Sequence, residues 1–317
     1  QKTVNDIANT EINVAGSGSA FESWYSGRKY QTSPTYHTME TCVTFTWMQL
    51  CDKLLALTGN PFYADQIEKS LYNALMAALK DDASQIAKYS PMEGHRCEGE
   101  EQCGMHINCC NANGPRAFAL IPDFAVKKMG NEVYVNYYGD MSASLENGHN
   151  KVLVKQHTTY PVSNVIDITI DVTKENVFGL HLRVPVWSAQ TVITLNGEEL
   201  KDICPGTYHA ITRKWKKGDH IQIILDMPAR LLEQNQMQAI VRGPIVLARD
   251  SRFNDGFVDE TLVVDSEDGI VKAEVDSVPG FAWMRLKVPV TVGTDLEGVG
   301  MYRNISFCDF ASAGNTW

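Results

Sequence analysis

Apolar residues change their spacing once along this chain. Between positions 38 and 58 they recur as Met48, Leu50, Cys51, Leu54, Leu55 and Leu57, the spacing of one helix face. Gly59-Asn60-Pro61 then supplies a glycine for a helix end and a proline for a first helical turn. A second helix is predicted over 61–79, with Ile67, Leu71, Leu75 and Ala78 as its stripe. So short a connection implies an antiparallel helical hairpin. A short third helix is predicted near 114–122. From about residue 126 the period becomes two: segments 133–137, 152–154, 165–170, 180–184, 192–195, 220–225 and 239–241 alternate. Asn147-Gly148, Asn196-Gly197, Pro205-Gly206 and Lys217-Gly218-Asp219 mark turns between them. Short strands at such intervals predict an antiparallel β-sandwich. The polar, acidic stretch 252–278 reads as a long connection, and 283–292 as a further strand.

The expected architecture is therefore multidomain, a helical region over 1–125 followed by a β region over 126–317. Three or four helices cannot bury both their faces alone. A larger helical domain is expected, completed by chain that precedes residue 1 or by another copy. Gln1 is not an initiator methionine and no signal-peptide pattern follows it, so a removed leader or a longer parent chain is expected.

Composition narrows the class. The 317 residues carry 28 Lys and Arg against 38 Asp and Glu, a net charge of −10. That field argues against nucleic acid and against anionic lipid surfaces as partners. No apolar run reaches the roughly 20 residues of a membrane-spanning helix. A soluble protein of the cytoplasm or periplasm is expected.

Six of the eight cysteines fall between 42 and 110: Cys42, Cys51, Cys97, Cys103, Cys109 and Cys110. Neighbouring cysteines are poorly placed to bridge each other, so a metal or reactive-thiol site is at least as good a reading as disulfides. Met39-Glu40-Thr41-Cys42 opens the first long helix, and Asn108-Cys109-Cys110-Asn111 lies further on. Thiolates and carboxylates are zinc ligands. Two residues apart, Glu40 and Cys42 would point about 200° apart inside a helix, so they converge only where the chain is not yet helical. Cys109 and Cys110 are expected in an irregular loop for the same reason. Inert burial is the plainer reading for Cys51, Cys204 and Cys308, and Cys97 with Cys103 would suit a disulfide in an exported protein. The loop from Glu93 to Glu101, with His95 and His106 nearby, reads as solvated charge; among the remaining histidines His37 stands out because it lies three residues before Glu40. Upstream, Glu22 follows a Gly/Ser stretch and precedes Trp24 and Tyr25. A carboxyl beside aromatic groups suits a general acid, and the rings suit stacking on a sugar; an ordinary Gly/Ser loop is the plainer alternative.

Glu40-Thr-Cys42, the turn Thr58-Gly59-x-Pro61-x-Tyr-Ala-Asp65, Glu68-x-x-Leu71-Tyr-Asn73-Ala74 and the pair Cys109-Cys110 resemble glycoside hydrolase family 127, the β-L-arabinofuranosidase family. Leu182-Arg-Val-Pro185-x-Trp187, Leu195-Asn-Gly197, Trp215-x-x-Gly218-Asp219 and Arg242-Gly243-Pro244 extend the resemblance into the β region. It implies the C-terminal portion of an (α/α)6 barrel followed by antiparallel β-sandwich domains. It implies a retaining glycosidase acting on glycans, with Zn2+ held by Glu40, Cys42, Cys109 and Cys110, Cys109 as nucleophile and Glu22 as acid/base. Family members are about twice this length, so most of the barrel would precede residue 1. A non-catalytic carbohydrate- or partner-binding module with a structural zinc is the alternative, since closed four-ligand sites are usually structural.

Overall fold

The computed structural model describes residues 2–30, 37–80, 82–96, 98, 104, 106–147, 150–234, 237–276, 280–293 and 300–314. The chain divides into two compact units. One comprises residues 1–49, 69–118 and 228–317; the other comprises 50–68 and 119–227. Helices α1 (Lys2–Thr10), α2 (Gly27–Tyr30), α3 (Thr41–Thr58), α4 (Phe62–Ser70) and α5 (Cys109–Ala125) are described. None is long and apolar enough to cross a membrane.

Local chemistry sets the helix ends. The Glu40 carbonyl accepts from the amides of Val43 and Thr44, which starts α3. Gly59, at φ +66°, closes it by donating to the Leu55 carbonyl, as a left-handed residue after a helix does. Asn60 then accepts from the Phe62 amide and opens α4. The second predicted helix is interrupted. Beyond Ser70 the chain loosens into a π-helical turn, Leu71–Leu75, whose five residues are all buried. Asn73 of this turn donates to the carbonyls of Lys69 and Pro244 and accepts from the Val246 amide.

The third helix is longer than expected. It begins at Cys109 and contains Gly114, Pro115 and Pro122. Those breakers are outweighed by a buried stripe at helical spacing, Cys110, Gly114, Ala117 and Phe124. Glycine is required at 114, where a Cβ would stand 2.8 Å from the Ile86 side chain.

In the second unit, strands β1 (Val126–Met129), β2 (Glu132–Val135), β6 (Asn176–Val184) and β9 (Thr207–Trp215) form a four-stranded sheet. A six-stranded sheet has the order β3 (Met141–Asn147), β4 (Asn150–His157), β5 (Val165–Val172), β10 (Asp219–Ile224), β7 (Val192–Leu195), β8 (Glu198–Glu199). Alternation is clean in β5 and β10, where Ile166, Ile168, Ile170, Ile221 and Ile223 are buried. Among the described strands the expected all-antiparallel pairing fails at one place: β2 and β6 run parallel. Arg183 of β6 is fully buried and pairs with Asp65 and Glu68 at 2.5 Å each. The Tyr160 hydroxyl donates to the same Glu68 carboxylate.

The first unit contains a nine-stranded sheet. Its longest strands are β11 (Ala229–Gln234), β12 (Met237–Arg242), β13 (Ile245–Ala248), β18 (Arg285–Val292) and β19 (Met301–Asp309). The stretch 252–278 is not a bare connection: it supplies short strands β14 to β17, at Leu262–Val264, Ser266–Glu267, Ile270–Val271 and Glu274–Val275. Phe310, Ala311 and Val246 share a core with Ala15, Met39, Ala74 and Ala77. The buried Arg96 guanidinium donates to the carbonyls of Phe310, Ala311 and Ala313 at 3.1, 2.9 and 2.6 Å.

Candidate metal centre

Four donors from two segments meet in the first unit. A Glu40 carboxylate oxygen and the sulfurs of Cys42, Cys109 and Cys110 all lie within 4.8 Å of one another. Cys42 Sγ is 3.1 Å from Cys109 Sγ and 3.2 Å from Cys110 Sγ, well beyond the ~2.05 Å of a disulfide bond. Both thiols of the pair are 3.8 Å from Glu40 Oε1.

Each donor is set by its place on a helix end. Glu40 lies just before α3, in an extended bridge with Tyr89, while Cys42 is the second residue of the helix. The carboxylate and the thiol therefore leave the backbone in directions that a continuous helix would not allow. Cys109 and Cys110 occupy not a loop but the first two positions of α5. Neighbouring helical side chains diverge by about 100°, so the two sulfurs straddle Cys42 rather than point together. Asn108 caps this helix by accepting from the Cys110 amide, and Asn111 accepts in turn from the Asn108 amide. A capped helix N-terminus carries partial positive charge, which favours thiolates there.

The chemistry of its donors is such that the cluster could hold a cation. Burial, then the Cys42 charge, pushes the Glu40 carboxyl up to about 7. Hydrogen bonding with the Cys110 thiol, donation from the Asn113 amide and hydrogen bonding with the Cys109 thiol pull Cys42 down to about 5, against the effect of burial. Burial and the neighbouring Cys42 charge push Cys109 up to about 11, and Cys110 is raised further still. Among themselves, then, the four groups stabilise one thiolate. Ionising the rest requires a positive charge in their midst, and three thiolates with one carboxylate form a four-coordinate set that suits zinc.

Glu22 is tied to the cluster through Lys88. The Lys88 ammonium is 2.8 Å from Glu22 Oε1. Its backbone carbonyl accepts from the Thr41 amide at 2.9 Å and faces Cys110 Sγ at 3.9 Å. The Glu22 side chain is 51% exposed, and Cys42 and Cys109 are half-buried, whereas Glu40 and Cys110 are buried. The segment around Glu22 is conformationally costly: Ser19, Phe21, Glu22, Ser26, His37 and Met39 all have φ between +49° and +74°. Left-handed non-glycine residues cost on the order of 1–3 kcal/mol each and gather at functional sites. The Gly/Ser stretch before it is not a solvated loop. Ala15, Ser17, Ser19 and Ala20 are buried, and Gly16, at φ +83°, would set a Cβ 2.7 Å from the Ser70 backbone.

The remaining candidates fall elsewhere. His37 packs between the rings of Phe21 and Tyr89, at 5.0 and 4.9 Å. Glu93, His95, Glu98 and His106 are exposed. Trp24 is half-exposed above Gly18. Cys51 and Cys308 are buried, whereas Cys204, expected in the core, is exposed. Cys97 and Cys103 lie outside the described residues. Sequence reading missed Lys88, Asn108 and Asn113. Asn113 was within reach: it lies four residues after Cys109, hence on the same helical stripe once α5 is seen to start at 109. Lys88 has no sequence signal, since a bridge between distant segments brings it in.

Relatives share this arrangement of chain. The family model described as "Beta-L-arabinofuranosidase, GH127 catalytic domain" matches residues 1–123, and the "GH127 middle domain" matches 132–227. A curated relative, the "Non-reducing end beta-L-arabinofuranosidase" of Bifidobacterium longum subsp. longum, is 24% identical over 68% of this chain and 36% of its own. A solved structure described as a GH127 beta-arabinofuranosidase superposes with a TM-score of 0.80 at 21% identity, covering 98% of this chain and 53% of that one. A GH127 beta-L-arabinofuranosidase from Geobacillus stearothermophilus T6 does so with the same TM-score and coverage at 18% identity. The chain thus spans about half the length of these structures and 36% of the curated relative. Two family models that together match more than half of its residues place it: the chain belongs to glycoside hydrolase family 127.

Proposed function

We propose that the protein is a retaining glycoside hydrolase that cleaves β-L-arabinofuranoside-like sugars from glycans, with Cys109 as nucleophile and Glu22 as acid/base. Residues 1–125 are read as the C-terminal part of an (α/α)6 barrel and 126–317 as the β-sandwich region. The rest of the barrel would come from an N-terminal part of the same protein or from a second copy. The observation that carries the reading is a half-buried thiol, Cys109, in a four-donor cluster that Lys88 links to an accessible carboxyl.

Glu40, Cys42, Cys109 and Cys110 would hold a zinc ion, which supplies the positive charge that keeps the Cys109 sulfur ionised at neutral pH. In the first step the Cys109 sulfur attacks the anomeric carbon. A carbon–sulfur bond forms, the glycosidic carbon–oxygen bond breaks, and Glu22 gives its proton to the departing oxygen. In the second step Glu22 takes a proton from water, the water oxygen bonds to the anomeric carbon, and the sulfur leaves as a thiolate. Two displacements retain configuration, as with paired carboxyls in ordinary retaining enzymes. Lys88 fixes the Glu22 carboxyl through both steps.

Elemental analysis of protein purified without chelator should find one zinc per chain, lost in Cys110→Ser. On aryl β-L-arabinofuranosides, Cys109→Ala should lose activity by at least about 10⁴-fold. Full activity in that variant would remove Cys109 from the mechanism. Metal retained in a wild-type protein that hydrolyses no aryl furanoside would favour a structural centre in a binding module.

A further inference from the structure

Asn113 stands beside the cluster without being one of its donors. Its side-chain Nδ2 is 3.1 Å from Cys42 Sγ. It lies one turn after Cys109 and Cys110 on α5, so the helix that carries two sulfurs also aims this amide at the third. An amide can face a sulfur with either end, and the neighbourhood decides which. Arg116, a further turn along, donates from Nη1 to Asn113 Oδ1 at 2.9 Å. A guanidinium has only donors, so it holds the carbonyl end and turns the NH2 toward Cys42. Arg116 is itself steadied over the Phe45 ring of α3, 4.7 Å from the centroid.

We infer that Asn113 is a positioning residue for the metal centre: oriented by Arg116, its amide donates to the Cys42 sulfur, directs that sulfur's remaining lone pairs into the cluster and limits how much charge it gives the metal. The inference rests on the reading of the four donors as a zinc site. Hydrogen bonds to ligating sulfurs are a general lever on metal centres, and removing such an outer partner typically costs about 10–100-fold in metal affinity. Asn113→Asp keeps the shape but replaces the donor with a carboxylate. Arg116→Met leaves Asn113 in place and removes the group that orients it; because Arg116 is exposed, this variant tests the chain of contacts with little risk to folding.

The test is metal binding rather than turnover. Zinc affinity would be measured by competition with a chromophoric chelator, and the cobalt-substituted protein by absorption spectroscopy. Wild-type protein should bind one equivalent. Asn113→Ala and Asn113→Asp should bind at least about 10-fold more weakly, and Arg116→Met more weakly by a smaller factor. Losing a hydrogen bond raises the energy of the sulfur lone pair, so the sulfur-to-cobalt charge-transfer band should move to longer wavelength in each variant. A packing defect alone would not impose that direction. Wild-type affinity and spectrum in both Asn113→Ala and Arg116→Met would overturn the inference and leave the zinc reading intact. Wild-type protein that takes up neither zinc nor cobalt would overturn both.

Discussion

Lys88 acts through two separable ends. Its ammonium holds Glu22, while its backbone carbonyl is engaged with Thr41 and the Cys110 sulfur. Substitution removes only the first. If Glu22 is the acid/base and the cluster holds zinc, as proposed, Lys88→Met should keep the metal and lose about 10-fold or more in kcat, because a misplaced acid/base slows the chemistry more than binding; metal content and kcat measured on the same preparation check this. The donors make a second prediction. With Cys109 pushed up to about 11 and Cys110 higher, two thiol protons should leave if the cluster takes up zinc, as proposed, near pH 8. Affinity should then rise by about 100-fold per pH unit there. Below about pH 7, where Glu40 also carries a proton, the slope should steepen. Chelator competition between pH 6 and 8.5 reads both slopes.

Among the elements, legibility followed the strength of the local pattern. The strands of the six-stranded sheet were plain because alternation and burial agree in β5 and β10. Helix α5 was hidden by Gly114, Pro115 and Pro122, all of which read as breakers; only the tertiary partner at Ile86 shows why a glycine belongs in mid-helix. The π-helical turn was equally hidden, because its stripe continues that of α4 and its cause is the pairing of Asn73 with Pro244 and Val246, some 170 positions away. The candidate ligand motif Glu40-Thr-Cys42 could be located from resemblance, but not the backbone that makes it converge. Also beyond the sequence pattern is Gly16, whose close approach to Ser70 needs both a missing Cβ and a positive φ. Gly16→Ala should cost about 2 kcal/mol or more, measured by urea unfolding, since both strains act together.

At the scale of the whole molecule the charges that matter for stability are buried ones. Arg183 joins Asp65 and Glu68 in the second unit. Arg183→Met would leave two carboxyls without their cation and should destabilise by about 3–5 kcal/mol near neutral pH. The loss should shrink in acid: burial already holds the Asp65 carboxyl up at about 6 with the guanidinium beside it, and a protonated carboxyl needs no partner. Denaturation of both proteins at pH 5 and pH 8 shows the difference. This pairing was not visible in sequence, because Arg183 lies 118 and 115 positions from Asp65 and Glu68.

The discontinuity of the first unit bears on the order in which a ribosome delivers its parts. All four sulfur and carboxylate donors have been synthesised by residue 110. Asn73, however, waits for Pro244 and Val246, and Arg96 waits for three carbonyls between 310 and 313. A nascent chain therefore carries the four donors for some 200 residues before these contacts of the first unit can close. On the proposed zinc reading, a chain ended at residue 227 should bind the metal poorly in chelator competition, although it contains all four proposed ligands. During synthesis those cysteines are exposed to oxidants and stray metals, so the yield of intact centre should depend on the redox state of the compartment in which translation finishes.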